Sequence, residues 1–278
     1  MTTTVTREQG NRQPAATHRA DPPPARPLRL VRHSLSLARR SLIKTIRTPE
    51  QLLDVTLQPV MFVVVFVYLL GGAISGSQTA YLTFLLPAIM VQTVMFASVA
   101  TGVSLNTDVK KGVFDRFRSL PIARSAPLVG SVLGDMVRYV VSIVVLIGFG
   151  YALGFRIGTD PLSTLAACLL TIFFASAITW VFVLIGVVMR EPGAVQGVAF
   201  LALFPLTFGT NMMVPTDTLP GWLQAWVKVN PVTDVMEAAR GLMVGGPVAG
   251  PVTRTLIWSV AIIAVFAPVA VHFYRRRV

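Results

Sequence analysis

Six stretches of this chain run for about twenty residues or more with hardly a charge, the length an α-helix needs to cross a hydrocarbon layer roughly 30 Å thick. They lie at 51–72, 81–106, 127–154, 162–188, 194–214 and 252–274. Hydrophobic residues make up 54% of the chain and charged ones only 13%, far from the mix of a soluble domain. Both facts predict an all-α polytopic membrane protein with six transmembrane helices. Pro59 in the first run is tolerated there as a kink. No soluble domain and no internal repeat stands out.

The charges between the runs set the orientation. Of the 24 Lys and Arg, nineteen fall on one side: ten before the first run, five between the second and third, Arg190, and Arg275 to Arg277. Only Arg156, Lys228, Arg240 and Arg254 fall on the other side, and Arg138 lies within a run. Positive residues stay cytoplasmic, so both termini are expected inside a bacterial plasma membrane. The net charge of +12 suits an anionic lipid bilayer better than nucleic acid, because the basic residues border apolar spans.

Residues 1–27 are polar, proline-containing and without an apolar stretch, which predicts a disordered cytoplasmic tail rather than a cleaved signal peptide. From 28 to 47 the pattern changes. Val31, Leu35, Ala38, Leu42 and Ile46 form one stripe, and Arg29, Arg32, Arg39, Arg40, Lys44 and Arg47 cover most of the rest. A basic amphipathic helix of this kind lies in the membrane interface.

The loop after the second run is a polar island, from Asp108 to Arg124. At helical spacing Val113, Phe114, Phe117 and Leu120 share a face, while Asp115, Arg116, Arg118 and Ser119 take the other. Pro121 ends this helix after about two turns, too short to be stable alone. It needs a surface to pack on, and a partner protein is the natural one.

The insert 215–251 predicts two short helices that dip into the membrane from outside without crossing. Trp222 and Trp226, four apart, suit the headgroup boundary. Asn230-Pro231 is an N-cap followed by proline at the first helical position. Val232, Val235, Met236, Ala239, Leu242 and Met243 form the next apolar face, with Asp234 and Glu237 favoured by the helix dipole and Gly245-Gly246 as the stop.

Chemistry-bearing residues are few. No Gly-Lys dipeptide exists, so no Walker A loop can hold phosphates, and the chain is not expected to be an enzyme. His18, His33 and His272 lack metal-ligand spacing. The single Cys168 sits in an apolar run as a packing residue. Asp135 and Arg138, three apart in the third run, can pair on one face. They either line a substrate or proton pathway or tie that span to its neighbours. Glu50 and Asp54 share a face where the first run begins. Gln58, Gln92 and Asn211 are uncharged polar residues within spans, suited to interhelical hydrogen bonds or to lining a path.

Three stretches carry a family likeness: Gly112-Val-Phe-Asp-Arg-Phe-Arg-Ser-Leu-Pro-Ile-Ala-Arg124, Met213-Val-Pro-Thr-Asp-Thr-Leu-Pro-Gly-Trp222 and Val229-Asn-Pro-Val-Thr-Asp234. With the six-run layout, residues 28–278 resemble the membrane permeases of type 2 ABC exporters, especially the daunorubicin-resistance-permease-like group. The resemblance implies a permease that binds no cofactor itself. It would pair with a second copy and with two ABC ATPase subunits, which would hold ATP and Mg. It also implies that Val113 to Leu120 form the coupling helix docking on the ATPase, with Phe114, Arg116, Phe117 and Arg118 as contact residues. The 28–47 helix would touch the same partner, and the insert helices would cap the outer end of the pathway. The cargo implied is a hydrophobic drug or secondary metabolite, with a lipid-linked polymer as the alternative. Apart from the resemblance, Asp135 and Arg138 leave an ion- or proton-coupled secondary transporter as a competing function.

Overall fold

The computed structural model describes residues 49–111 and 126–277. The expected tail, the 28–47 helix and the coupling helix with Val113, Phe114, Arg116, Phe117, Arg118 and Leu120 lie outside the described residues. Every regular element within them is helical: α1 (Pro49–Ser75), α2 (Gln78–Lys110), α3 (Ala126–Ala152), α4 (Pro161–Val188), α5 (Pro192–Phe208), α6 (Gly221–Val229), α7 (Pro231–Val244) and α8 (Ala249–Arg277), with a 3-10 turn at Thr216–Thr218.

The helix starts follow from local chemistry. Ser77 Oγ accepts the Ala80 N–H at 3.1 Å and caps α2. Asp160 caps α4, accepting the Ser163 hydroxyl at 2.7 Å and its N–H at 3.0 Å, with Pro161 at the first position. Those two bonds hold the Asp160 carboxyl below the usual carboxylate range. Asn230 Oδ1 accepts the Val232 N–H at 3.0 Å ahead of Pro231, so α7 begins as expected. It stops at Gly245, whose φ of 108° favours glycine.

Among the described residues five helices are long and apolar enough to cross a membrane: 57–75 of α1, all of α2, 128–152 of α3, all of α4, and 249–274 of α8. α5 differs from the expected 194–214 run. It has 17 residues, about 25 Å at ~1.5 Å per residue. Pro205 sits in its last turn and Gly209 closes it. Residues 209–214 continue as irregular backbone, with Thr210, Asn211 and Met212 buried. Irregular backbone at such a place is tolerated when protein rather than lipid surrounds it.

α2 is the axis of the bundle. α1, α3, α4, α5 and α7 all pack on it, and α8 joins through α4 and α7. Leu85, Ile89 and Met95 of α2 meet Tyr139 and Ile143 of α3, Phe174 of α4, and Val235 and Met236 of α7 in one continuous core. A smaller core gathers Leu105, Leu128, Val183, Val187, Ala270 and Tyr274. It lies at the end where α2 stops, α3 starts and α8 finishes. Lys110 and Glu191 pair there at 2.6 Å, so the α4–α5 turn is at this island end too. At the opposite end the Tyr81 hydroxyl donates to the Met213 carbonyl at 3.0 Å, and the Gly158 N–H to that of Met243 at 3.0 Å.

At the α2–α4 crossing the two backbones come into direct contact. A Cβ on Gly186 would run into the Gly102 carbonyl, and one on Gly102 into the Phe182 carbonyl. Small residues let backbones touch in this way. One turn further, Asn106 Nδ2 donates to the Gly186 and Met189 carbonyls at 2.8 and 2.7 Å. Gly186→Val should therefore force the helices apart and cost about 1–3 kcal/mol, read as a lower midpoint of thermal unfolding in detergent. Gly193→Ala, where an added Cβ meets nothing within 4 Å, should leave that midpoint near the parent's.

Candidate functional site

Two polar clusters interrupt the apolar bundle. The first lies where α2, α3 and α4 meet. On α3, Asp135, Arg138, Tyr139 and Ser142 recur at helical spacing on one face, and all four are buried. Arg138 Nη2 pairs with Asp135 Oδ1 at 2.7 Å and donates to the Ala97 carbonyl of α2 at 2.9 Å. The Tyr139 hydroxyl meets Thr179 Oγ1 of α4 at 2.8 Å. Thr179 spends its own proton on the Ala175 carbonyl at 2.8 Å, so Tyr139 is the donor between them. Among the described residues Asp135 Oδ2 and Arg138 Nε have no protein partner. The expected pairing of Asp135 with Arg138 is thus present, and the pair reaches across to a neighbouring helix.

The second cluster stands at the opposite end, built from α2, the 209–214 segment, α7 and α8. Asn211 Nδ2 donates to Glu237 Oε1 at 2.8 Å and to Thr216 Oγ1 at 3.2 Å. Arg254 of α8 pairs with Asp234 at 2.6 Å, and its Nη2 lies 3.9 Å from Glu237 Oε2. Arg240 leaves α7 toward α2: its Nε donates to the Phe84 carbonyl at 3.1 Å and its Nη2 to the Asn211 carbonyl at 3.3 Å. The guanidinium also sits 3.9 Å from the centre of the Phe84 ring, a cation–π stack. Burial pulls the Arg240 guanidinium down to about 10, partly opposed by Glu237, which still leaves it protonated at neutral pH.

Helix ends supply many of the acceptors. The last carbonyls of a helix have no partner within it. Asn230 Nδ2 takes those of Leu206 and Gly209 beyond α5 at 2.8 and 3.0 Å. Thr159 Oγ1 takes that of Leu242 in α7 at 2.6 Å. The insert is therefore fastened to α2, α5, α8 and the α3–α4 loop at once.

The predicted residues fall unevenly on these clusters. Asp135 and Arg138 join the first; Asn211 and Glu237 meet in the second. Gln92 is buried on α2, but among the described residues its Nε2 has no partner and it bonds to neither cluster. Gln58, expected within a span, is exposed at the bundle surface. Trp222 and Trp226 are exposed on α6, 75% and 41%, and the Trp226 ring lies over Gly209. α7 departs from the expected one-sided amphipathic helix: Thr233 and Asp234 are buried along with Val232, Val235 and Met236. Sequence reasoning missed Arg240, Arg254, Tyr139 and Asn106. Tyr139 and Ser142 were findable, one and two turns on from Asp135. Arg240 was not, because its partner is a backbone carbonyl 156 positions away.

This arrangement sits in a chain with clear relatives. Residues 33–244 match the family ABC-2 type transporter. The chain belongs to that family. It is 42% identical over 254 residues to the daunorubicin resistance ABC transporter permease protein DrrB1 of Streptomyces coeruleorubidus, covering 91% of this chain and 90% of the relative. It is 29% identical over 206 residues to the doxorubicin resistance ABC transporter permease protein DrrB of Mycobacterium tuberculosis, covering 71% and 70%. As an ABC-2 family member with apolar helices, it is a multi-pass membrane protein that works with an ABC ATPase subunit.

The Asp234–Arg254 pair makes a direct test of the second cluster. Asp234 is buried while Arg254 is half exposed. Because solvent reaches the Arg254 side, Arg254→Gln should leave the Asp234 carboxylate without its charged partner at a cost of roughly 1–3 kcal/mol. Adding Asp234→Asn to that variant should recover part of the loss, a coupling of about 0.5–3 kcal/mol in a double-mutant cycle of unfolding midpoints.

Proposed function

We propose that this chain is the permease subunit of an ATP-driven exporter that moves hydrophobic drugs or secondary metabolites out of a bacterial cell. The observation that carries this reading is the likeness, over nine-tenths of both chains, to a permease named for daunorubicin resistance. That likeness favours a drug over a lipid-linked polymer. ATP and Mg would be bound by the partner. Two ATPase subunits and a second copy of this permease would complete the transporter.

Six crossings are part of the reading, with α5 and the partly buried 209–214 segment together acting as the fifth. Both termini and the island would face the cytoplasm. In support, the basic residues sort by bundle end: Lys110, Lys111, Arg190 and the α8 terminus lie at the island end, and Arg156, Arg240 and Arg254 at the other. Val113 to Leu120 would dock on the ATPase through Phe114 and Phe117, with Arg116 and Arg118 beside them. ATP closure would push this helix, tilt the spans, and open a path between two permeases alternately inward and outward. Gln92 and Asn211 are candidates for that path, and the insert with Trp222 and Trp226 would close its outer end. An ion-coupled mechanism would need a carboxylate free to trade protons, whereas Asp135 is held by Arg138 at 2.7 Å.

Cells carrying this chain with its ABC ATPase should export daunorubicin. Phe117→Ala or Arg116→Glu should each cost docking at least roughly 2 kcal/mol, so that ATPase co-purification falls more than about tenfold. Membrane insertion should be unchanged. Undiminished export by both variants would refute the docking assignment.

A further inference from the structure

α2 and α3 are the two helices that run into and out of residues 112–125. Whatever moves that segment moves these two helices first. Most of their mutual contact is apolar, and apolar helix surfaces recognise a neighbour's height poorly, since one turn looks much like the next. Arg138 does not share that ambiguity. Its Nη2 is held by Asp135 Oδ1 at 2.7 Å on its own helix and by a single α2 carbonyl, Ala97, at 2.9 Å. Sliding α3 along α2 by part of a turn would strip a buried guanidinium of its acceptor, and a slide of a full turn would have to bring another α2 carbonyl into line with it. A second contact fixes the same register, because a Cβ on Gly150 of α3 would collide with the Leu86 side chain of α2. Tyr139, one position beyond Arg138, ties α3 to Thr179 of α4 as well.

We propose that Arg138 is a positioning residue that locks α2 and α3 at one relative height, so that they respond to displacement of residues 112–125 as a single body. This rests on the reading of that segment as the ATPase-docking element. It goes beyond that reading by saying how a push would divide among the spans: α2 and α3 translate or tilt together, and relative motion is left to the less polar contacts elsewhere. The titratable and charged groups facing Arg138 are Asp135 and Tyr139; α2 contributes the Ala97 carbonyl and α4 the Thr179 hydroxyl.

The test is a distance. With Cys168→Ala as parent, nitroxides are placed by Ser104→Cys and Val144→Cys, both exposed positions, on α2 and α3. These sites lie on opposite sides of the Ala97–Arg138 contact, about 20 Å apart along the bundle at ~1.5 Å per residue, so a slide changes their separation. In nanodiscs with the co-purified ATPase, the pulsed-EPR distribution should be single and should stay in place when ATP and vanadate trap the closed ATPase. A shift of that distribution with Arg138 intact would overturn the proposal, and this arm needs no change at Arg138. The second arm needs no ATPase. In the permease alone, Arg138→Gln should add a population displaced by roughly one helical turn, about 5 Å, and Arg138→Lys, which keeps a charged donor, should return the single distribution. A distribution as narrow in Arg138→Gln as in the parent, or as split in Arg138→Lys as in Arg138→Gln, would overturn it. Loss of ATPase co-purification from the parent itself would count against the docking assignment and leave the second arm to decide on Arg138.

Discussion

A polar group buried in a bundle that lipid surrounds has only protein to bond with, and most of this architecture follows from meeting that condition. α2 meets it at three heights. Near its start, Tyr81 and the Phe84 carbonyl engage the insert. Midway, the Ala97 carbonyl receives Arg138. Toward its end, Asn106 reaches across to α4. Successive junctions lie about 20 and about 14 Å apart at ~1.5 Å per residue, and each attaches a different part of the chain. Between them the packing is apolar. A helix with this division of contacts is held in register by a few directional bonds and filled in by side chains that tolerate change.

Nearly all these bonds end on backbone carbonyls. A carbonyl inside a helix keeps a second lone pair, and the last carbonyls of a helix are wholly free. Arg138 uses the first kind at Ala97. Asn106, Asn230 and Thr159 use the second at the ends of α4, α5 and α7. The same side chains that fasten one helix to another thereby finish the helix they touch. That is why asparagine and threonine, poor helix formers by propensity, recur at the junctions of a hydrophobic chain.

What could be read from sequence alone follows from the same physics. Apolar runs announced the long helices to within a few residues, because length and composition are all that crossing requires. Asn230-Pro231 announced the start of α7, and Asp135 with Arg138 announced their pairing, because both are local. The partner of Arg240 is a carbonyl of α2, and that of Asp234 is Arg254, which lies on a different helix. No spacing rule finds either. The early end of α5 was hidden for a related reason. Residues 209–214 are apolar enough to continue a span, and only the burial of their backbone among α2, α7 and the 3-10 turn explains how they leave the helix without penalty.

That short helix and the insert are two sides of one solution. α5 falls about 5 Å short of a ~30 Å hydrocarbon layer, and α7, too short to span anything, is buried on nearly every side at the same end of the bundle. The Asn230 side chain joins them, bonding the carbonyls where α5 stops and the N–H where α7 starts. Asn211 and Arg240 then knit the intervening backbone to α7 and α2. A lid lying over a pathway would keep a wet polar face and few ties to the spans. α7 has the opposite character: its acidic Asp234 is buried against α8 and its Arg240 is stacked on α2. Any closing movement at this end has to carry the starts of α2 and α8 with it, and the exposed α6, with Trp222 and Trp226, is the part of the insert left free to respond to the membrane surface.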